Sequence, residues 1–217
     1  MKKQNLVIGA IVVLVLAWIV GDSIVQKQRS DTLSEVADES TSTLTPKGAP
    51  ALGPEDAPVA LVEFFDPACE TCARFYPPVK KLMAAHPGQI RLVLRYLPLH
   101  QGSDTMVAIL EASRKQGKFW ETLEIMFASQ PQWASHHAPR PDRIWTFLEE
   151  SGQLDVQRLR QDMKDPAIQA VMERDMADAA TLGIRKTPGY LVNGKPLPSF
   201  GFTQLRTLVE SEIAANQ

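Results

Sequence analysis

The fold turns on the stretch Val59-Ala60-Leu61-Val62-Glu63-Phe64-Phe65-Asp66-Pro67-Ala68-Cys69-Glu70-Thr71-Cys72. Its first half is a short apolar run rich in β-branched and aromatic residues, which predicts a buried strand. Beyond it Cys72, Phe75, Tyr76, Val79, Leu82 and Met83 fall at helical spacing and make one apolar face. A strand therefore hands over to a helix at the only two cysteines of the chain, with Cys69 near the helix N-terminus. Unpaired backbone N–H groups and the positive end of the helix dipole gather there and favour a thiolate. The thiolate is the nucleophile in disulfide exchange, and a lowered pKa makes such a cysteine reactive. Cys72, one turn further on, is placed to attack Cys69 and close a disulfide.

Other uses of the pair fit less well. A structural zinc site takes four Cys or His ligands, and His86, His100, His136 and His137 supply no pair at zinc-finger spacing. A disulfide closing so short a loop removes little chain entropy and makes a poor staple. A binding protein holding a soft metal such as copper(I) between the two thiols is the alternative to redox chemistry. The redox reading needs no cofactor.

Outside this stretch the chain sets its own bounds. Its 217 residues suit one domain with extensions, and 44% hydrophobic with 22% charged residues suits a globular core. A net charge of −2 gives no reason to expect nucleic acid as a partner. Lys2 and Lys3 precede an apolar run from Leu6 to Gly21, and Ile24-Val25 extends it past Asp22. No Ala-x-Ala cleavage site follows, and the run just reaches the length of a membrane span, so residues 1–25 are expected to be an uncleaved single-pass anchor rather than a removed signal. The lysines hold the N-terminus inside, which puts the rest in the cell envelope, on the extracytoplasmic (periplasmic) side of the inner membrane. Residues 26–50 are rich in Ser, Thr, Asp, Glu and Pro without an aromatic, and read as a flexible linker, with room for a short helix over 31–38.

The folded domain is expected over 51–217. Pro77-Pro78 should kink the first helix, and Ile90 to Leu97 reads as a second strand, parallel to the first. Five helices are expected next, within an insertion over about 102–186. Ser103 or Asp104 caps the first, Phe119 to Phe127 lines the second, and Pro131–Pro141, with Trp133, His136 and His137, reads as a surface loop. Asp142 opens the third, Asp155 caps the fourth, and Asp165-Pro166 opens the fifth, with Met172 and Met176 on its core face. Thr187-Pro188 then leads into extended runs on either side of Asn193-Gly194, a type I′ hairpin signal. Thr203 caps a last helix. The fold class is α/β, a small mixed sheet in which a helical insertion separates a βαβ half from a ββα half.

Val62 to Phe65, Asp66 to Cys72, Pro77, Gly117-Lys118-Phe119-Trp120 and Thr187-Pro188-Gly189 together resemble the DsbA-like branch of the thioredoxin superfamily. The resemblance covers the whole folded part and implies a thioredoxin-like fold and protein thiol–disulfide oxidoreductase activity. It implies that Cys69 is the exposed nucleophile and Cys72 the buried resolving thiol. It also implies that Pro188 is cis, that Thr187 pairs with a substrate peptide as an added strand, and that Glu63 relays a proton to or from Cys72. Glu70 and Thr71 would flank the bound peptide. The implied partners are cysteine-containing exported proteins and a membrane redox protein that reoxidises or reduces the pair. The dipeptide here is Glu-Thr, without the histidine of the strongest oxidases. Glu70 sets a negative charge beside Cys69, which disfavours the thiolate and predicts a milder oxidant.

Overall fold

The computed structural model describes residues 43–134 and 139–216. The chain divides into two units, Met1–Thr43 and Leu44–Gln217, and every element below belongs to the second. The expected anchor at 1–25, most of the expected linker and His136-His137 lie outside the described residues. The second unit opens at Leu44, ahead of the boundary expected at residue 51, and Leu44 is itself buried.

The element order is β1 (Ala51–Leu52), β2 (Val59–Phe65), α1 (Glu70–Ala85), β3 (Ile90–Tyr96), α2 (Ser103–Arg114), α3 (Phe119–Trp133), a 3₁₀ turn (Pro141–Arg143), α4 (Ile144–Glu150), α5 (Val156–Asp162), α6 (Pro166–Thr181), β4 (Gly189–Val192), β5 (Lys195–Pro196) and α7 (Phe202–Ala215). The sheet order is β1-β3-β2-β4-β5. β2 runs parallel to β3, in register Val59↔Ile90 through Phe65↔Tyr96, and the other neighbours are antiparallel. This is the mixed sheet with a helical insertion expected from the sequence.

Both faces of the sheet are covered, which is why β2 and β3 read as nearly continuous apolar runs. Val59, Leu61 and Phe65 point into one core with Cys72, Tyr76 and Val79 of α1. Val62 and Phe64 point into the other core, with Val93, Leu97 and Ala179. Each such aliphatic or aromatic side chain contributes roughly 1.5–3 kcal/mol when fully buried. β3 also buries a cation. Arg95 is fully buried and donates from Nε to Asp175 Oδ1 at 2.9 Å and from Nη2 to Asp178, while its Nη1 reaches the Leu44 carbonyl at 3.3 Å. Asp175 Oδ2 also accepts from the Tyr96 N–H at 2.9 Å. A buried charge persists only when paired and hydrogen-bonded, so this cluster fixes α6 against the sheet.

Several local expectations hold. The Asp155 side chain accepts from Arg158 N, and the Asp165 side chain accepts from Ala167 N with Pro166 in the first helical position. Asn193 (φ +47°) and Gly194 (φ +78°) both take the positive φ that a type I′ turn requires. α1 contains Pro77 and Pro78 and runs on to Ala85, with Tyr76, Val79 and Leu82 on its buried face. Other expectations are corrected. The supposed surface loop begins later than Pro131, because α3 runs to Trp133, whose fully buried indole donates to the Met126 carbonyl at 3.0 Å. The N-cap of α2 is Gly102 rather than Ser103 or Asp104. Its φ of +85°, with Pro141 Cγ at 2.9 Å from where a Cβ would stand, leaves room only for glycine. The cap of α7 is Gly201, not Thr203. Met176 is 42% exposed, off the core face assigned to it.

Candidate active site

β2 ends at Phe65, and three residues, Asp66 to Ala68, carry the chain to the cap of α1. Cys69 is the N-cap residue, with extended backbone (φ −73°, ψ 114°). Its Sγ accepts from the Cys72 N–H at 3.4 Å and lies 3.4 Å from the Thr187 carbonyl. The turn is held from two sides. Asp66 is fully buried, and its carboxylate accepts from the N–H groups of Ala68, Leu99 and His100 at 2.8, 2.8 and 3.0 Å. The His100 ring donates to it from Nδ1 at 2.6 Å. Gln130 of α3, also buried, donates from Nε2 to the Pro67 carbonyl at 2.9 Å. Asp66 stood inside the quoted motif, and an Asp closing a strand is a familiar turn former. For Gln130, sixty-three positions away in sequence, no local signal existed.

Both cysteines are thiols, and their environments differ. Cys69 keeps 5% of its surface exposed and Cys72 none, a narrower contrast than an exposed and a buried thiol. Hydrogen bonds from the Cys72 side chain, the Thr187 side chain and the Cys72 and Thr71 N–H groups outweigh burial and pull the Cys69 thiol down to about 6. Glu70 is exposed, and the leading influences on that sulfur come from burial and from Cys72, Thr187 and Thr71. Burial pushes the Cys72 thiol well up, and Cys69 and Glu63 push it further.

Glu63 is 3% exposed, in the middle of the central strand. Burial pushes its carboxyl up to about 8, against the lowering effect of the Tyr190 hydroxyl and with a smaller push from Cys69. It shares a face of β2 with Leu61 and Phe65, the face on which α1 and Cys72 pack. The Thr187–Pro188 bond is cis, as the sequence resemblance implied. Pro188 is buried and Thr187 half-buried. Beside them a groove of about 730 Å³ is lined by Thr71, Thr187, Pro188, Leu182, Leu197 and Phe200. Phe200 is 57% exposed and Leu182 40%, which leaves the rim apolar. The structure thus brings Cys69, Cys72, Glu63, Thr71, Thr187 and Pro188 together and leaves the Glu70 side chain facing solvent. Among the described residues no cluster of three or more Cys, His, Asp or Glu side chains could hold a metal ion. Nor, among them, is any helix long and apolar enough to cross a membrane.

Known proteins resemble this chain over most of its length. A thioredoxin family model matches residues 45–211. A thioredoxin-like oxidoreductase from Silicibacter pomeroyi is 31% identical, with a TM-score of 0.67 over 78% of this chain and 95% of that one. The oxidised BdbD structure from Bacillus subtilis is 24% identical, with a TM-score of 0.67 over 77% and 94%. A Na(+)/H(+) antiporter NhaA from Herminiimonas arsenicoxydans is 31% identical over 194 residues, 88% of this chain, but the chain spans only 30% of that protein's length. The chain belongs to the thioredoxin family, and its fold is that of the thioredoxin-like and DsbA-like proteins it resembles.

Proposed function

We propose that the chain is a thiol–disulfide oxidoreductase that acts outside the cytoplasm, held to the membrane by residues 1–25, and forms disulfides in cysteine-containing exported proteins. The observation that carries the reading is the placement of the two thiols: Cys69 caps α1 with its Sγ 3.4 Å from the Cys72 N–H, which goes with a thiol lowered to about 6, and Cys72 is fully buried behind it, which raises the second. A stabilised Cys69 thiolate favours the reduced protein, which makes the Cys69–Cys72 disulfide an oxidant.

In the oxidising direction a substrate thiolate attacks Cys69 Sγ and the Cys69–Cys72 bond breaks. Cys72 leaves as a thiolate in a site that disfavours it and takes a proton from Glu63, which at about 8 still carries one at neutral pH. A second substrate thiolate attacks the substrate sulfur of the mixed disulfide. Cys69 departs as the stable thiolate, the substrate has lost two electrons, and the pair has gained them. A membrane redox partner restores the disulfide by the reverse exchange. The groove beside Pro188 suits an extended peptide, with Thr187 supplying main-chain hydrogen bonds, Thr71 at its edge, and Leu182 and Phe200 offering apolar surface.

Cys72→Ser tests the reading. Mixed with a reduced substrate peptide and an oxidant, this variant should accumulate a mixed disulfide through Cys69, whereas Cys69→Ser should not. Equal trapping by both variants would refute the assignment of roles.

A further inference from the structure

Tyr190 has no place in the mechanism so far, yet it lies within it. In the antiparallel β2–β4 pair it stands directly opposite Glu63. Opposite residues of such a pair project from the same face, with Cβ atoms about 4.5–5.5 Å apart. That face is the one on which α1 packs, in the core that holds Cys69, Cys72 and Tyr190. The ring is 5% exposed and stacked on Phe75 of α1, with centroids 6.1 Å apart, so its direction is fixed. The hydroxyl oxygen at its end is buried and has no hydrogen-bond partner within bonding geometry among the described residues. Leaving a buried hydroxyl unmatched is destabilising, and a phenylalanine would fill the same space without that cost. The hydroxyl is therefore a feature that the packing does not explain.

We infer that the Tyr190 hydroxyl is a positioning group for the proton relay: it donates to the Glu63 carboxylate once that group ionises, holding it toward Cys72 and supporting its charge. The inference rests on the Glu63 relay proposed above. When reduced protein is reoxidised, Cys72 attacks Cys69 in the mixed disulfide, the Cys69–substrate bond breaks, and the Cys72 proton passes to Glu63. To accept that proton Glu63 must first stand as a carboxylate in a buried site, where only hydrogen bonds can sustain it. The surroundings offer few others. From α1 the site meets Cys69, Cys72 and Tyr76, whose own hydroxyl is committed to Glu124 at 3.2 Å. From β3 the same face carries Leu94 and then Tyr96, whose hydroxyl is committed to Glu111 at 2.7 Å. Arg95 lies on the opposite face, paired with Asp175. From α7 the packed side chains Leu205, Val209 and Ile213 are apolar, and Glu212 is occupied by Lys195 and Asn193. Among the described residues Tyr190 is the donor left for Glu63, and the direction of its effect on that carboxyl agrees.

The test mixes the reduced full-length protein with glutathione disulfide and follows decay of the Cys69–glutathione mixed disulfide across pH, by acid quench and mass spectrometry. Removing a donor to a carboxylate raises its pKa, so Tyr190→Phe should move the limb set by Glu63 to higher pH by roughly one pH unit. Glu63→Gln should abolish that limb, and Tyr190→Phe should add nothing in its presence. A ¹³C NMR titration of the Glu63 carboxyl in the reduced Tyr190→Phe protein should show the same upward move without any turnover. An unchanged limb and titration in Tyr190→Phe, with the limb lost in Glu63→Gln, would overturn the inference and leave the relay standing. A profile unaffected by Glu63→Gln would overturn the relay itself, and the inference with it.

Discussion

Glu63→Gln should make the protein more stable at neutral pH, by an amount that follows from where the carboxyl sits. Burial holds its pKa at about 8, against an ordinary 4.5. Between those two values the folded protein keeps the proton while the unfolded chain gives it up. Folding then binds a proton that unfolding releases, and stability falls as pH rises, by about 1.4 kcal/mol per pH unit. Across the whole window the loss is on the order of 5 kcal/mol, complete above about pH 8, and on the order of 3 kcal/mol at pH 7. Glutamine has a similar shape and does not ionise, so the variant lacks this slope. Cys69 contributes with the opposite sign: its pKa is lowered from 9.0 to about 6, so its stabilisation is complete above 9 and is lost as pH falls through 6. Both proteins share that contribution, and their difference isolates Glu63. Urea unfolding of the two reduced proteins at several values between about pH 5 and pH 8 reads the difference directly. The gain from Glu63→Gln should grow steadily across that range. Parallel stability curves would show that Glu63 is not held protonated by burial, and would remove the proton source from the mechanism.

Other expectations follow from the same geometry. Alkylation of the reduced protein by iodoacetamide should modify Cys69 first, with a rate that rises through about pH 6 and then levels off, while Cys72 stays unreactive in the native protein. Peptide mapping checks the site, and faster labelling of Cys72 would contradict it. Arg95→Met should cost roughly 3–5 kcal/mol in urea unfolding, because it removes the buried cation between Asp175 and Asp178 and leaves Asp175 only the part-exposed Arg174. A loss under about 1 kcal/mol would mean the cluster is no more than a surface-like pair. Cell fractionation should leave the full-length protein in the membrane, and a soluble product lacking the first twenty-odd residues would rule out the proposed anchor.

The site was legible in the sequence wherever its parts are local. The change from strand to helix periodicity at Cys69, the Asn193-Gly194 turn and the Asp165-Pro166 helix start each depend on a few adjacent residues, and each is found where the pattern put it. What the sequence hid depends on distant partners. Arg95 reads as an ordinary polar position in a strand until Asp175, eighty residues on, meets it in the core. Trp133 stands two residues after a proline and resembles loop sequence, yet its indole finds the Met126 carbonyl inside the same helix and stays buried. Glu63 could be placed on β2 from the sequence, but that Tyr190 stands opposite depends on the β2–β4 register, which no short pattern specifies. Glu70 is adjacent to Cys69 in sequence, while the N-cap geometry turns the sulfur toward Cys72 and Thr187.

The central claim is that Cys69 and Cys72 form a redox couple poised by a stabilised Cys69 thiolate. Equilibrating the full-length protein against a graded series of reduced and oxidised glutathione, with thiol trapping and mass spectrometry, measures it directly. A thiolate pKa near 6 lies between the roughly 7 of thioredoxin and the roughly 3.5 of the strongest oxidants, so a single two-electron transition is expected at roughly −130 to −250 mV. Cysteines that stay reduced at every ratio, or a midpoint at or below about −270 mV, would contradict the account.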